Sequence, residues 1–260
     1  MTMSYGINTR CIYGEEREHG DEKHYGALSY PIYQTATFQH PQVGVSSGYD
    51  YSRLSNPTRS QLESVVASLE KGTHAYAFSS GMAAITVAME IFSQGAHIIA
   101  GDDLYGGSVR LFDNISRKNG YEVEYVDTSR EDVEKYIRPE TKAVYIETPT
   151  NPMMNVTDIA KAAEITKKHG ILLIVDNTFL SPYLQNPLEL GADIVIHSGT
   201  KFLCGHNDTL SGFVVVKDEA LAERILYVSK TTGANLSPFD SWLVLRGIKT
   251  LGIRMERQQA

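Results

Sequence analysis

Residues 171–208 read ILLIVDNTFLSPYLQNPLELGADIVIHSGTKFLCGHND, and two apolar runs inside this stretch, 171–175 and 194–196, decide the fold. Each run stops abruptly at polar residues, the first at Asp176 and Asn177, the second at His197, Ser198, Thr200 and Lys201. A short apolar run with a polar end suits a buried parallel strand whose carboxyl end opens onto a crevice. In open α/β sheets that edge is where ligands sit. One acid and one lysine are therefore expected to face a common pocket from neighbouring strands.

Outward from this pair the pattern repeats. Strands are predicted at 74–78, 97–100, 122–126 and 143–147, and again at 210–216, where Gly212 implies close backbone approach. Helical periodicity occupies 62–69, 82–92, 104–118, 130–137 and 158–169, and a short helical turn starts at Asn186-Pro187. Strands separated by helices of this length argue βαβ units and an α/β fold with a mostly parallel sheet of about seven strands. Residues 1–60 lack this rhythm. Rich in Tyr, Ser, Gly and Asn, they read as an irregular arm, and a partner subunit is its natural host because so long a structureless stretch does not hang free in a compact domain. Beyond Lys217 the pattern predicts a helix at 218–229, a loop at 231–238 and one further helix at 239–259. The expected division is an arm over 1–60, an α/β domain over 61–230, and the start of a linker helix over 231–260. The last residues, RMERQQA, keep the helical pattern without a stop signal, which reads as a helix that is cut.

Bulk composition bounds the function classes. With 42% hydrophobic and 21% charged residues over 260 positions, the chain has the make-up of a soluble globular protein. A net charge of -7 gives no electrostatic reason to expect nucleic acid or an anionic membrane as a partner. No apolar run reaches the roughly 20 residues that a bilayer span needs. The opening MTMSYGINTRCIYGEEREHGDEKH holds no signal-peptide core. Cys11 and Cys204 form neither a metal spacing nor a disulfide framework, so no metal is expected and a reducing cytoplasm is the expected compartment.

A lone lysine after a strand is ordinarily a surface residue, but the neighbours of Lys201 give it another use. Ser198 and Thr200 supply hydroxyls suited to a phosphate, and Asp176 ends the preceding strand. A lysine in a partly desolvated pocket can be a neutral amine and attack a carbonyl. Pyridoxal phosphate (PLP) asks for this set: a lysine for its aldehyde, an acid for its ring nitrogen, and donors around its phosphate. At Ser79-Ser80-Gly81-Met82 a strand gives way to a helix through glycine, which aims free N–H groups and a helix dipole at an anion. Tyr105, opening a helix in DDLYGG, could lie on a flat ring or simply pack on the core. Tyr51 and Arg53 lie in the arm, where an arginine is either a solvated charge or a phosphate ligand. His197 and His206 lack metal spacing, and His197 reads as a core or supporting residue. Neither GxGxxG nor GxxxxGK[ST] occurs, so a nucleotide site has no local support.

Taken together, YSRLSNPT, SSGMAA, DDLYGGSVRLF, ETPTNP, VDNTF and DIVIHSGTKFLCGHND resemble, in order, the Cys/Met-metabolism PLP-dependent enzymes. Cystathionine γ-synthase, cystathionine γ- and β-lyase, methionine γ-lyase and O-acetylhomoserine sulfhydrylase belong to that family. The resemblance implies the large domain of the aspartate aminotransferase type (fold type I), with a mixed, mostly parallel seven-stranded sheet. It implies that Lys201 binds the cofactor aldehyde and moves protons, that Asp176 holds the pyridine nitrogen protonated, and that Tyr105 stacks on the ring. Ser80, Gly81, Met82, Ser198 and Thr200 would hold the phosphate, with Glu147 and Asn151 on the rim. Tyr51 and Arg53 would reach the phosphate of a neighbouring subunit in a homodimer or homotetramer with shared active sites. A methionine γ-lyase typically carries cysteine two residues after the tyrosine; Gly107 stands there, which favours γ-replacement or γ-elimination on O-acyl-homoserine or cystathionine, a small amino acid substrate. The family's C-terminal domain, which binds the substrate carboxylate, is expected to be absent. The rival expectation is a chain that binds PLP or partner subunits without turnover.

Overall fold

The computed structural model describes residues 5–14 and 24–260. The parts of the expected arm at 1–4 and 15–23 lie outside the described residues. Seven strands are seen among them: β1 His74–Phe78, β2 His97–Gly101, β3 Glu122–Val126, β4 Thr141–Glu147, β5 Leu172–Asp176, β6 Ile194–Ser198 and β7 Gly212–Val216. They form one sheet in the order β1-β7-β6-β5-β4-β2-β3. The pairs from β6 through β5, β4 and β2 to β3 are parallel, while β7 runs antiparallel to both β1 and β6. The mixed, mostly parallel seven-stranded sheet expected from the sequence is the one found.

Helices cover both faces, which is why the strands read as continuous apolar runs. Alternate residues of each strand point to opposite sides. Val144, Leu173, Val175, Val195 and Val215 pack toward α1 (Ile7–Tyr13), α2 (Pro57–Glu70), α5 (Ile159–His169), α8 (Pro238–Ile248) and α9 (Leu251–Gln259). Ile98, Tyr145, Ile174, Ile196 and Val214 pack toward α3 (Gly81–Met89), α4 (Gly106–Leu111) and α7 (Glu219–Thr232). Side-chain caps set several helix starts: Asn56, Ser80, Asp158, Asp218 and Ser237 each accept a backbone N–H of the first turn. No helix of the described residues is long and apolar enough to cross a membrane.

Several expected elements are corrected. The arm is irregular over 27–56 apart from isolated bridges, but it is preceded by α1, a short helix with no capping side chain, which left no signal to read. The arm is tied to its own chain: the Tyr33 N–H donates to Thr58 Oγ1 at 2.9 Å, and Asn56 Nδ2 to the Tyr33 carbonyl at 2.9 Å. The helix expected over 104–118 is α4 followed by a π-turn at Phe112–Ser116, and the one over 130–137 is only a 3-10 turn, Val133–Tyr136. A short α6, Ser181–Leu184, lies in a segment the apolar pattern did not mark. The single helix expected at 239–259 is two. The Gly247 carbonyl takes the Thr250 N–H at 3.2 Å, its hydroxyl at 3.1 Å and the Arg254 guanidinium at 2.9 Å, so the regular i to i+4 ladder breaks at Lys249-Thr250.

Candidate active site at the strand edge

β4, β5 and β6 end at one edge, with Glu147 in register with Asp176, and Asp176 with Ile196. Asp176 is 7% exposed. Its Oδ1 accepts the Thr178 N–H at 3.0 Å and the Thr178 hydroxyl at 2.5 Å. Thr178 Oγ1 in turn accepts the Ser198 N–H at 2.8 Å, so a single hydroxyl joins the acid of β5 to the end of β6. On the other side, the Tyr145 hydroxyl lies 3.4 Å from Asp176 Oδ2, a weak contact. Burial pushes the Asp176 carboxyl up, against the opposing pull of the Thr178 hydrogen bonds, the His197 charge and Tyr145. Glu147 is pushed up to about 7, first by burial and then by the charge of Asp176, while the N–H groups of Tyr105 and Asn151 pull the other way. Two carboxyls that crowd each other out of water make a place where a cation is welcome.

The amino end of α3 meets this edge. Ser80 Oγ accepts the Ala83 N–H at 3.1 Å, so Ser80 spends its hydroxyl as a cap. The Gly81 and Met82 N–H groups belong to the first turn and have no intrahelical acceptor. A Cβ on Gly81 would sit 2.8 Å from that of Ser198. One on Gly212 would strike the Ser80 carbonyl and lie 2.8 Å from Gly81 Cα. The close approach expected at Gly212 is therefore between β7 and the start of α3, and it sets the first turn of that helix against Ser198. Thr200 turns toward β7 instead: its hydroxyl donates to the Ser211 carbonyl at 3.2 Å and accepts the Ser211 N–H at 3.1 Å.

Tyr105 leads into α4, half exposed at 48%, and its N–H donates to Glu147 Oε2 at 2.9 Å. A side chain at Gly107 would strike the Tyr105 ring and come within 2.8 Å of Met82 Sδ, so Gly107 is the space into which the ring fits. Lys201 follows β6 in a turn closed by its N–H on the Ser198 carbonyl at 3.2 Å, and its side chain is exposed. The partial desolvation expected of it is not present in the single chain, because Lys201 lies past the strand end. Asn151 is exposed and meets the site through its N–H on Glu147. Tyr51 and Arg53 are brought to each other, the guanidinium 5.2 Å over the ring, with Arg53 also donating to the Lys230 carbonyl. None of these contacts is with the acid or the lysine. A cavity of about 710 Å³ adjoins the site at Ser79 and Thr200, between Asp208 and Asp240, and does not include Asp176 or Lys201.

Three contributors escaped the sequence reading. Thr178 bridges two strands; the only sign of it was a hydroxyl two residues past a strand-ending acid. Asp103 accepts the Met153 N–H at 3.1 Å and the Thr150 hydroxyl, pinning the loop after β4 to the loop before α4, a pairing no spacing reveals. Glu70 is buried against His197, which is the core histidine expected.

The residues fit a flat, phosphate-bearing aldehyde with a basic ring nitrogen. Unsatisfied N–H groups open α3 beside Ser198, a buried carboxyl waits for a cation, an amine stands one turn beyond, and an aromatic ring flanks the space. The sequence profile described as Cys/Met metabolism PLP-dependent enzyme matches residues 8–260. The chain is 56% identical over 238 residues to a cystathionine gamma-lyase of Bacillus subtilis, covering 91% of this chain and 62% of that protein. It is 50% identical to a cystathionine gamma-synthase of Haemophilus influenzae over 262 aligned residues, covering 100% of this chain and 70% of the relative. Among solved structures, cystathionine gamma-lyase from Lactobacillus plantarum complexed with L-serine superposes with a TM-score of 0.91 at 45% identity, covering 96% of this chain and 65% of the other. The chain thus spans under two thirds of the Bacillus relative and of this solved chain.

Proposed function

Because the chain belongs to the Cys/Met metabolism PLP-dependent enzymes, whose cofactor is pyridoxal 5'-phosphate, we propose that its strand edge seats that cofactor for γ-elimination or γ-replacement on cystathionine or an O-acyl-homoserine. The observation that carries the reading is the link from Asp176 through the Thr178 hydroxyl to the Ser198 N–H, which holds the acid on the strand that leads to Lys201. When bound, the cofactor supplies an electron sink for the carbanion formed on the substrate.

Asp176 would face the ring nitrogen and hold its proton. The N–H groups of Gly81 and Met82, with the Ser198 hydroxyl, bind the phosphate at the positive end of α3, and Ser80 shapes that turn as its cap. Thr200 orients the Lys201 turn by its two bonds to Ser211, rather than by giving its hydroxyl to the phosphate. Tyr105 covers one face of the ring, and its approach is set by Glu147 and by the space at Gly107. Glu147 and the Asn151 N–H close the rim. Lys201 would hold the cofactor at its aldehyde and, once freed by the substrate amino group, its amine would take the α-proton, pass that proton on, and only then take a β-proton. Tyr51 and Arg53 serve the phosphate of a second subunit in a homodimer or homotetramer. The name of the Haemophilus relative, a synthase, and that of the Bacillus relative, a lyase, mark the two outcomes open to such a site: a thiol takes the γ-position, or the γ-substituent leaves and water completes the elimination.

Adding PLP to the purified chain should produce a visible absorption band that Lys201→Ala lacks. A band that survives in the variant overturns the assignment of Lys201. Incubation with cystathionine, and separately with an O-acyl-homoserine and cysteine, then separates the chemistries: 2-oxobutanoate from cystathionine reports γ-elimination, pyruvate β-elimination, cystathionine formed from the second pair γ-replacement, and a band without any of these products supports a binding chain that does not turn over.

A further inference from the structure

Arg59, in the first turn of α2, is 3% exposed, and a buried arginine needs acceptors for its N–H groups. Two of them go to the arm: Nη1 donates to the Ser52 carbonyl at 2.6 Å and Nη2 to the Leu54 carbonyl at 3.0 Å. Its Nε faces Glu63 Oε1 at 3.4 Å, and that oxygen accepts the Ala77 N–H of β1 at 2.9 Å. The guanidinium is thus seated on the body of the domain and forks onto the carbonyls of the residues on either side of Arg53. None of the chemistry proposed above uses it.

What the fork does follows from the covalent geometry of the arm. A peptide unit is planar, so a hydrogen bond on its oxygen or its N–H orients the whole unit. Arg59 holds the unit between Ser52 and Arg53 and the one after Leu54, while the unit between them is held by the Leu54 N–H on the Tyr51 carbonyl at 2.8 Å. The Ser52 N–H on the Ala36 carbonyl at 2.8 Å and Asn56 Nδ2 on Ser52 Oγ at 2.9 Å fix the chain that leads in. Successive peptide planes are therefore fixed around Arg53, whose own side chain is exposed. Within the chain that side chain meets the Tyr51 ring and the Lys230 carbonyl. A long cation on a rigid base gives up less freedom when it binds an anion than the same cation on a loose segment.

We propose that Arg59 is a positioning residue for Arg53: through the carbonyls of Ser52 and Leu54 it presents that guanidinium to the cofactor phosphate of a second copy of the chain. This rests on the reading of Arg53 as a ligand of the neighbour's phosphate. Buried as it is, Arg59 does not reach that phosphate itself, so its effect on cofactor affinity passes through Arg53. Lysine keeps the charge at position 59 but is a point donor that does not reproduce the planar fork.

A double-mutant cycle on PLP affinity tests this, measured on the full chain with its assembly checked by mass. Arg53→Ala should bind PLP about tenfold more weakly than wild type and Arg59→Lys about fivefold, yet adding Arg59→Lys to Arg53→Ala should cause no further loss. Losses that multiply show that Arg59 acts on the fold at large and overturn this proposal alone. So does an unaltered affinity in Arg59→Lys beside a weakened Arg53→Ala. Where Arg59→Lys does not fold, Arg59→Met carries the same cycle; if neither folds, Arg59 belongs to the fold and the proposal fails. An Arg53→Ala that binds PLP as wild type does overturns the phosphate role of Arg53 and this proposal with it, leaving the seat at Asp176 and Lys201 in place. A wild type that is monomeric, or that forms no PLP band, overturns the proposal together with the reading it rests on.

Discussion

Glu147 shows how one residue can serve two demands. Its carboxyl receives the Tyr105 N–H, which orients the residue proposed to stack on the cofactor, yet burial and the neighbouring Asp176 push it from the ordinary 4.5 up to about 7. Because the folded value lies above the unfolded one, the stabilising contribution is complete below about 4.5 and is lost as pH rises toward about 7. Denaturant unfolding of the cofactor-free chain should therefore lose up to about 3 kcal/mol from this group across that window. Glu147→Gln, which cannot ionise, should flatten that part of the curve. An unchanged slope would show that another group causes it. At this scale the sequence was informative where chemistry is local. Asp176 and Lys201 declared themselves by ending apolar runs, and Gly81 by preceding a helix. Thr178 left only the sign of a hydroxyl two residues past Asp176, while Asp103 and Glu70 act on partners far away in the chain, and no spacing marks them.

Among the elements, the meeting of β7 with α3 bears most directly on the site. Gly212 brings β7 against the Ser80 carbonyl, and this contact seats the first turn of α3 on Ser198. Gly212→Ala forces backbone against a methyl group with no flexible side chain to give way, at a stability loss of about 2 kcal/mol. The displaced turn should also weaken PLP binding about tenfold. Urea unfolding and a cofactor titration on the same variant check both. Lost stability with unaltered PLP affinity would show that the α3 turn does not hold the phosphate. The strands were legible because they are buried on both faces and read as unbroken apolar runs, and the capped helices because Asp158 and Asp218 announce them. The break at Lys249-Thr250 was not legible. It arises from Arg254 and Thr250 competing for the Gly247 carbonyl, a tertiary event inside a continuous helical pattern.

For the whole molecule, the open question of physical consequence is what Tyr51 and Arg53 do. Within one chain they face each other and the end of α7, and the arm is fastened by Tyr33 and Asn56 to the first turn of α2. An arm so anchored at its base holds its outer residues in a constant relation to the body that carries it, and thus to any symmetric neighbour. If Arg53 serves the phosphate of the neighbour, each site is built from two chains, and lesions on different chains can be sorted by mixing. Arg53→Ala should bind PLP more weakly, and Lys201→Ala should form no band. Mixed and allowed to exchange subunits, the two variants make dimers with one doubly damaged site and one intact site. At limiting PLP the mixture should then develop more of the visible band than the sum of the two separate samples. A mixture equal to that sum, in samples where exchange is verified by mass, would place Arg53 in service of its own chain.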